Sequence, residues 1–320
     1  MSSPRILLLG KNGQVGFELQ RRLAPLGEVV ALDRHSQPLG GDLTDLEALA
    51  ATVRALRPTV IVNAAAYTAV DKAEAEPELA RRVNAEAPAL LATLAKETNA
   101  WLVHYSTDYV FDGSGSTPWS EADPTGPLNV YGQTKLEGEQ AIAASGCQYL
   151  NFRTSWVYAA NGNNFLKTML RLAKDRETLN VVADQWGAPT GAKLIADVTA
   201  QAVQKALGEA SGAPGTAAAR LAGTYHLAAA GTVNWHGYAS HVIARARQQF
   251  PDAVRVRQIL PVATRAFPTP AIRPGNSRLD TSKLQRNFQL QLPSWQAGVD
   301  QVVDHVAADI LGVPTKTLTS

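Results

Sequence analysis

Short apolar runs alternate with segments of helical periodicity over the first half of the chain. The runs have the length of β-strands and span residues 5–10, 29–33, 59–62, 101–105 and 148–154. Each is followed by a segment in which apolar residues recur with the period of a helix. This alternation is typical of a parallel sheet covered on both faces by helices. The sequence therefore predicts an α/β fold with a Rossmann-like, doubly wound parallel sheet.

The second half of the chain is less regular, which indicates a second unit. Strands are predicted at 178–182 and 223–227, helices at 192–207 and 294–310, a Pro-rich extended segment at 261–274 and a surface loop at 208–215. A chain of 320 residues exceeds the usual size of one domain. We predict a dinucleotide-binding domain at 1–155, to which the chain returns around 192–232. A smaller C-terminal α/β substrate-binding lobe is predicted at 156–191 and 233–320.

Composition and charge exclude several classes of function. Thirty basic and 28 acidic residues give a net charge of +2, and no basic run stands out. A nucleic-acid or membrane partner is therefore not expected. The N-terminal apolar run, residues 6–9, is too short for a signal peptide or a membrane span, so a cytoplasmic protein is expected. Cys147 is the single cysteine, and the histidines lack the spacing of a zinc motif, so no metal site is predicted.

A glycine-rich turn lies between the first predicted strand and the first predicted helix. Residues 10–16 read Gly-Lys-Asn-Gly-Gln-Val-Gly. Glycines at Gly10, Gly13 and Gly16 allow a tight turn, and they let the backbone at Gln14 and Val15 approach a pyrophosphate at the N-terminus of the helix. The alternative is that these glycines only ease packing between helix and strand.

Three further positions predict contacts to a dinucleotide. Asp33 ends the second strand, where a carboxylate accepts hydrogen bonds from the adenosine ribose, which favours NADH. Arg34 follows it and offers a partner for a 2′-phosphate, so the cofactor is predicted as NADPH or NADH. Asp42 and Leu43 are expected beside the adenine. The small residues of segment 63–66 let a ligand pass close to the backbone.

Tyr131 and Lys135 are the candidates for chemistry. At spacing i, i+4 both side chains lie on one face of a helix. A nearby ammonium would lower the pKa of the phenol and make Tyr131 a proton donor at physiological pH. Ser106 or Thr107, at the end of the fourth strand, offers a hydroxyl to the substrate carbonyl, and Thr107 completes the predicted triad. Each motif has a simpler alternative: Tyr-x-x-x-Lys occurs by chance on exposed helices, and a Ser-Thr pair often only caps a turn.

The residue after Asp108 distinguishes between reaction classes. A dehydratase acting on nucleotide sugars would need a second acid or base there, commonly a glutamate, but the chain has Tyr109. The sequence thus favours a single hydride transfer over elimination. Hydrolase chemistry has no support, because neither Ser106 nor Ser155 lies in a Gly-x-Ser-x-Gly motif.

Five segments together resemble the motifs of the extended short-chain dehydrogenase/reductase family. They are residues 10–16, 62–71, 106–111, 153–158 and 273–279. Within that family the likeness is greatest to oxidoreductases that act on 4-keto nucleotide sugars. The resemblance implies NAD(P)H-dependent reduction of the C4 carbonyl of dTDP-4-dehydro-β-L-rhamnose, which yields dTDP-L-rhamnose.

The resemblance also implies site residues by position. Cofactor contacts are expected at Gly13, Gln14, Val15, Asp33, Asp42, Leu43, Ala66, Tyr67, Thr68, Tyr105, Tyr131 and Lys135. Substrate contacts are expected at Thr107, Asp108 and Trp156, and Arg273 is a candidate for the substrate pyrophosphate. Two rival functions stay open. One is a nucleotide-sugar epimerase or dehydratase, and the other is a catalytically silent relative, such as the regulatory subunit of methionine adenosyltransferase.

One departure from the family concerns assembly. Some relatives form dimers around Mg²⁺ held by three glutamates, and those positions align with Glu18, Lys193 and Gln296. Only one carboxylate remains, whereas Mg²⁺ requires anionic oxygen ligands. We therefore expect no metal bridge, and either a monomer or a weak homodimer that forms without metal.

Overall fold

A computed structural model describes residues 3–210 and 218–313 of the chain. Its strands are β1 Arg5–Leu9, β2 Glu28–Leu32, β3 Val60–Asn63, β4 Trp101–Thr107, β5 Gln148–Thr154, β6 Val157–Tyr158, β7 Thr178–Val182, β8 Trp186–Gly187, β9 Thr190–Gly191, β10 Gly223–His226, β11 Val233–Asn234 and β12 Gln258–Val262. Its α-helices are α1 Gln14–Leu23, α2 Leu46–Leu56, α3 Val70–Ala73, α4 Pro77–Arg81, α5 Ala87–Thr98, α6 Val130–Ser145, α7 Phe165–Asp175, α8 Ala192–Ala210, α9 Ala218–Leu221, α10 Trp235–Gln249, α11 Ser282–Phe288 and α12 Trp295–Leu311.

Six strands form one parallel sheet in the order β10-β5-β4-β3-β1-β2. The predicted α/β class and doubly wound parallel sheet are confirmed. Because every strand runs the same way, all the carboxyl ends meet at one edge. The chain order reverses at β1, which has β2 on one side and β3 on the other. Open sheets of this kind bind ligands in the crevice at that point.

The first strand shows why the sheet is covered on both faces. Successive side chains of a strand point to opposite faces. Ile6 and Leu8 pack in a core with residues of α1 and α8, whereas Leu7 and Leu9 pack in another with residues of α2 and α5. All four side chains are fully buried. A strand with two buried faces reads as a continuous apolar run, which is the pattern from which it was predicted.

The later part of the chain divides its contacts between the sheet and a separate core. Strand β10 pairs with β5, and Leu284 and Phe288 of α11 join the sheet core. Helices α7, α10 and α12 form the second core together with β7. The division into a 1–155 domain and a substrate-binding lobe stays a prediction. Of the loop predicted at 208–215, residues 208–210 are helical, and 211–215 lie outside the described residues.

Candidate active site

A cleft of about 870 Å³ opens at the carboxyl edge of the sheet. Its lining includes the predicted site residues Gly10, Gly13, Gln14, Val15, Asp33, Asp42, Leu43, Ala66, Tyr67, Thr68, Tyr105, Thr107, Asp108, Tyr131, Lys135 and Trp156. Two predicted residues, Gly16 and Arg273, are not on its surface. The fold therefore brings together side chains that are far apart in the sequence.

The glycine turn has a shape that only glycine tolerates at two positions. Gly10 has φ +87°, and a Cβ atom there would lie 2.8 Å from the backbone nitrogen of Ala65. A Cβ atom on Gly16 would overlap the carbonyl oxygen of Gly10, so Gly16 lies beneath the turn and packs against it. Gly13, the residue before α1, has no side chain that could cap the first N–H groups of the helix. The first N–H groups of α1 thus face the cleft beside an open backbone, which suits the pyrophosphate of a dinucleotide.

Asp33 is held as a carboxylate at the end of β2. Its Oδ1 accepts hydrogen bonds from the His35 backbone at 2.9 Å and the Ser36 hydroxyl at 3.0 Å. Its Oδ2 lies 3.8 Å from the Lys11 ammonium. The hydrogen bond from the His35 backbone is the main cause of the lowered pKa of Asp33. Arg34 and His35 line the same part of the cleft, and the sequence had not marked His35.

Lys135 is buried between α6 and β4. It is 1% exposed. Its Nζ donates to the Tyr105 carbonyl at 2.6 Å and lies 3.2 Å from Nε2 of His104. Burial lowers the pKa of Lys135 from 10.5 to about 8, although the Glu139 carboxylate, one turn further along α6, opposes the shift. The Lys135 ammonium therefore loses its proton at a lower pH than that of an exposed lysine.

The expected lowering of the Tyr131 pKa is wrong for the protein alone. Burial raises the pKa of Tyr131 to about 12, the negative charge of Asp108 adds to the rise, and a hydrogen bond with Thr107 opposes it. The physical reason is that burial disfavours the charged phenolate. The phenol therefore keeps its proton at neutral pH, as a proton donor must.

Thr107 ends β4, and Asp108 follows it. The Thr107 hydroxyl accepts a hydrogen bond from the Tyr109 backbone at 3.1 Å and donates to Oδ1 of Asp108 at 3.2 Å. Asp108 is 2% exposed, and its Oδ2 has no hydrogen-bond partner among the described residues. Burial is the main cause of the rise in the pKa of Asp108 to about 7. A carboxyl group that is neutral below that pH can donate a hydrogen bond to a substrate.

We expect Asp108→Asn to remove a pH dependence of substrate binding. In the wild type, Asp108 ionises as the pH rises through about 7. The new charge repels an anionic substrate, so KM should rise by about three- to tenfold between pH 6 and pH 8.5. Asn keeps the shape and a donor but does not titrate, so its KM should stay flat. Initial rates at saturating cofactor measure this, and parallel profiles for the two proteins would contradict it.

A pair of aromatic side chains forms part of the cleft wall. Trp156 and Trp235 stack with ring centroids 3.7 Å apart, and both line the cleft. Trp156 has φ +49°, and a Cβ atom on Gly187 would lie 2.8 Å from its ring. The ring is therefore fixed between Gly187 and Trp235. Trp235 carried no signal in the sequence, because it comes from a distant helix.

Arg273 lies behind the cleft. Its Nη2 is 2.7 Å from Oδ2 of Asp71, an ion pair that ties the segment after β12 to α3. Its Nη1 is buried without a hydrogen-bond partner among the described residues. The predicted contact with a substrate pyrophosphate would need this side chain to turn toward the cleft.

Asn84 supports the cleft from a short stretch of π-helix, Arg82–Glu86, between α4 and α5. Its side chain accepts a hydrogen bond from the Tyr67 backbone at 2.9 Å and donates to the Tyr67 carbonyl at 3.1 Å and the Thr134 hydroxyl at 3.3 Å. It joins the wall of the cleft to α6 in this way. Single-turn π-bulges often occur at functional sites. Nothing in the sequence pattern marks this residue, because a π-bulge has no simple periodic pattern.

The fold and the cleft define the extended short-chain dehydrogenase/reductase class. A profile of the family described as RmlD substrate binding domain matches residues 4–308. The chain belongs to that family.

Individual relatives agree with this membership. The dTDP-4-dehydrorhamnose reductase of Salmonella typhimurium is 56% identical over 298 residues, 93% of this chain and 96% of that protein. That of Burkholderia thailandensis is 50% identical over 297 residues, 92% of this chain and 96% of that protein. A crystal structure of the dTDP-4-dehydrorhamnose reductase of Bacillus anthracis in complex with NADP is 34% identical, has a TM-score of 0.82 and covers 95% of this chain and 100% of that chain.

Proposed function

We propose that this protein reduces the C4 carbonyl of dTDP-4-dehydro-β-L-rhamnose to the alcohol of dTDP-L-rhamnose, with NADPH or NADH as the reductant. The observation that carries the proposal is that Thr107, Tyr131 and Lys135 line one cleft with the glycine turn of residues 10–16, in a chain 56% identical to a reductase of that name. The choice of nucleotide sugar rests on the substrate in the relatives' name, dTDP-4-dehydrorhamnose. The cleft supplies a proton donor and a place for a dinucleotide.

The cofactor would be held along the carboxyl edge of the sheet. Its pyrophosphate fits the N-terminus of α1 and the glycine turn, its adenosine ribose fits Asp33, and the nicotinamide end fits the wall near Tyr105 and Lys135. A dihydronicotinamide supplies the hydride when it is bound. The remaining chemistry belongs to the side chains of this protein.

Tyr131 donates the proton in the proposed reaction. Hydride addition at C4 places negative charge on the carbonyl oxygen, and the Tyr131 O–H bond breaks as the new alcohol O–H bond forms. Thr107, which is hydrogen-bonded with Tyr131, orients the carbonyl oxygen. Lys135, in its charged form, stabilises the phenolate that remains until it regains a proton from solvent.

Steady-state turnover tests the proposal. Oxidation of NADPH and of NADH is followed at 340 nm after addition of enzymatically generated dTDP-4-dehydrorhamnose. We expect oxidation of one cofactor per sugar reduced, with dTDP-L-rhamnose as the product. Conversion of the sugar without net oxidation would favour an epimerase or dehydratase, and absence of any conversion would favour a silent relative.

Asp33→Ala is expected to shift the preference toward NADPH. The change removes a carboxylate that repels a 2′-phosphate, and it leaves Arg34 free to pair with that group. The ratio of kcat/KM for NADPH to that for NADH should rise by about tenfold, the effect expected when one repulsive charge contact with the 2′-phosphate is removed. Arg34→Ala is the matched control and should move the ratio the other way. A ratio within about twofold of wild type in both variants would remove this pair from cofactor selection.

We further propose that the protein is a monomer or a weak homodimer without metal. Glu18 pairs with Arg21 at 3.3 Å, and the Lys193 ammonium lies 3.3 Å from the Gln301 side chain. Glu18 and Lys193 line a groove of about 1140 Å³ between α1, α8 and α12, whereas Gln296 of α12 is exposed and is not part of that lining. An ammonium at this position repels a dication.

Among the described residues, no helix is both long and apolar enough to cross a membrane. A cytoplasmic location stays a prediction.

Magnesium is therefore expected to leave the assembly unchanged. A site with one carboxylate does not offset the cost of removing water from a dication. Sedimentation velocity in excess EDTA and then in millimolar MgCl₂ should give the same coefficient. A change from monomer to dimer on addition of magnesium would refute the expectation.

A further inference from the structure

A buried row of hydrogen-bonding groups leads from β3 to Lys135. Asn63 and His104 are direct neighbours on β3 and β4, and each is 1% exposed. The Ala65 backbone donates to Oδ1 of Asn63 at 3.2 Å, so the amide nitrogen of Asn63 faces Nδ1 of His104, also at 3.2 Å. The other ring nitrogen, Nε2, faces Nζ of Lys135 at 3.2 Å.

The positions of the protons on Asn63 and His104 decide whether the amine or the ammonium of Lys135 completes these hydrogen bonds. An amide N–H facing Nδ1 makes that atom an acceptor, so the single proton of a neutral ring is on Nε2. Its N–H then points at Nζ. An ammonium has no lone pair and cannot accept it, whereas a neutral amine can.

The alternative arrangements each leave two donors face to face. If the Lys135 ammonium donates to Nε2, the ring proton moves to Nδ1 and meets the Asn63 amide nitrogen. If that amide turns over, its nitrogen meets the Ala65 N–H. A doubly protonated ring would meet both neighbours with N–H groups, and burial also holds the pKa of His104 well below 6.5. Only the uncharged amine satisfies the whole row, and an unsatisfied buried donor is costly.

We propose that Asn63 and His104 position Lys135 and favour its uncharged amine, by presenting it with an N–H donor that only a neutral nitrogen can accept. His104 acts through Lys135, so it is a positioning residue. The proposal rests on the proposed function in one respect, that Lys135 serves Tyr131 in the reduction.

The other charged groups near α6 do not produce the same effect. Glu139 on α6 favours the charged lysine, but it is itself paired with Arg153 of β5 at 2.7 Å. Other charged or titratable groups lie on elements that pack against α6. Asp108 and Tyr109 follow β4, and Glu74 follows α3. Arg81 of α4 pairs with Glu137, and Lys96 of α5 lies near Gly146. His104 is thus the titratable group in hydrogen-bonding distance of Nζ in the described part of the chain.

Titration of Lys135 in the absence of cofactor and substrate tests the proposal. Protein labelled with ¹³C-lysine is followed by NMR, and the Cε resonance of Lys135 is assigned by its loss in Lys135→Arg. The wild-type midpoint should lie at least about one pH unit below the 10.4 of an unperturbed lysine. Asn63→Asp replaces the donor by an acceptor of the same shape, so the ring proton can move to Nδ1 and Nε2 can accept from the ammonium. Its new negative charge also favours the ammonium, so the uncharged variant His104→Gln decides whether the hydrogen bonds are responsible.

The midpoint should therefore rise by about one pH unit or more in Asn63→Asp, and also in His104→Gln, whose side chain offers an oxygen to the ammonium. His226→Gln is the matched control, because His226 is equally buried but faces the Trp119 carbonyl at 3.0 Å, and it should leave the midpoint unchanged. A wild-type midpoint near 10 refutes the proposal whatever the variants do. A low midpoint that stays within about 0.3 unit in a folded Asn63→Asp or His104→Gln protein also refutes it, because burial alone would then explain the shift. Neither result affects the reductase function, which is measured separately by turnover.

Discussion

Tyr131→Phe is expected to lower kcat by about 10² to 10⁴-fold, the usual contribution of a general acid, with little change in cofactor affinity. The phenol hydroxyl supplies the proton in the proposed reaction, and burial keeps it protonated by raising the pKa of Tyr131 to about 12. The ring itself packs edge-on against Tyr109 with centroids 5.8 Å apart, and Phe preserves that contact. Stopped-flow single turnovers and a fluorescence titration with NADPH separate the two effects.

Tyr238→Phe provides the matched control for this change. Tyr238 is also a buried tyrosine, but it lies in the second core, and its hydroxyl has no partner among the described residues. Its loss should leave kcat near the wild-type value. If Tyr131→Phe retains activity within about threefold of wild type, Tyr131 is not the proton donor.

Lys135→Met is expected to impair both the rate and cofactor binding. Methionine matches the length and apolar stem of lysine but lacks the nitrogen that reaches the Tyr105 carbonyl and faces the cleft. We expect kcat to fall by on the order of 10² to 10³-fold and Kd for NADPH to rise by about tenfold, because one nitrogen hydrogen-bonds the cofactor ribose and, once it is protonated, stabilises the phenolate. Kd is measured by fluorescence titration and kcat by NADPH oxidation.

Lys193→Met is the control for the loss of a lysine. Its ammonium contacts Gln301 of α12 and does not line the cleft. Both constants should therefore stay near wild type in that variant. A Lys135→Met protein that binds NADPH with unchanged affinity would show that Lys135 does not hold the cofactor.

The sheet could be predicted because each buried strand has a recognisable local pattern of apolar residues. The apolar run of residues 5–10 became β1, Arg5–Leu9, in which residues 6–9 are fully buried isoleucine and leucine. The helix predicted at 294–310 became α12, Trp295–Leu311, after Ser294, whose hydroxyl accepts the hydrogen bond that caps it. Buried strands need a continuous apolar run and helix ends need a cap, so both leave a local trace in the sequence.

Parts of the candidate site could be predicted for a related reason. A tight turn before a helix requires glycines at fixed spacing, so residues 10–16 can be recognised from the sequence alone. Residues four apart lie on one face of a helix, so the pair Tyr131 and Lys135 can be recognised in the same way. Their placement in one cleft follows from the parallel order of the strands.

The rest depends on contacts between distant segments. His104 and Asn84 become meaningful only because β3 lies beside β4 and a π-bulge lies beside α6. Trp235 reaches Trp156 from a helix of the later chain. The direction of the Tyr131 pKa was mispredicted because its main cause is burial, which the four-residue spacing of Tyr131 and Lys135 does not reveal. None of these relations has a fixed spacing in the sequence.

The central claim is that one hydride passes from a nicotinamide to C4 of a nucleotide sugar and that no other bond to carbon changes. Reaction of dTDP-4-dehydrorhamnose with NADPH deuterated at the transferred position tests this most directly, with the product analysed by ¹H NMR and mass spectrometry. One deuterium at C4 of dTDP-L-rhamnose, with one cofactor oxidised per sugar, is the predicted result. Product without deuterium, deuterium at another carbon, or sugar conversion with no net oxidation of the cofactor would contradict the claim.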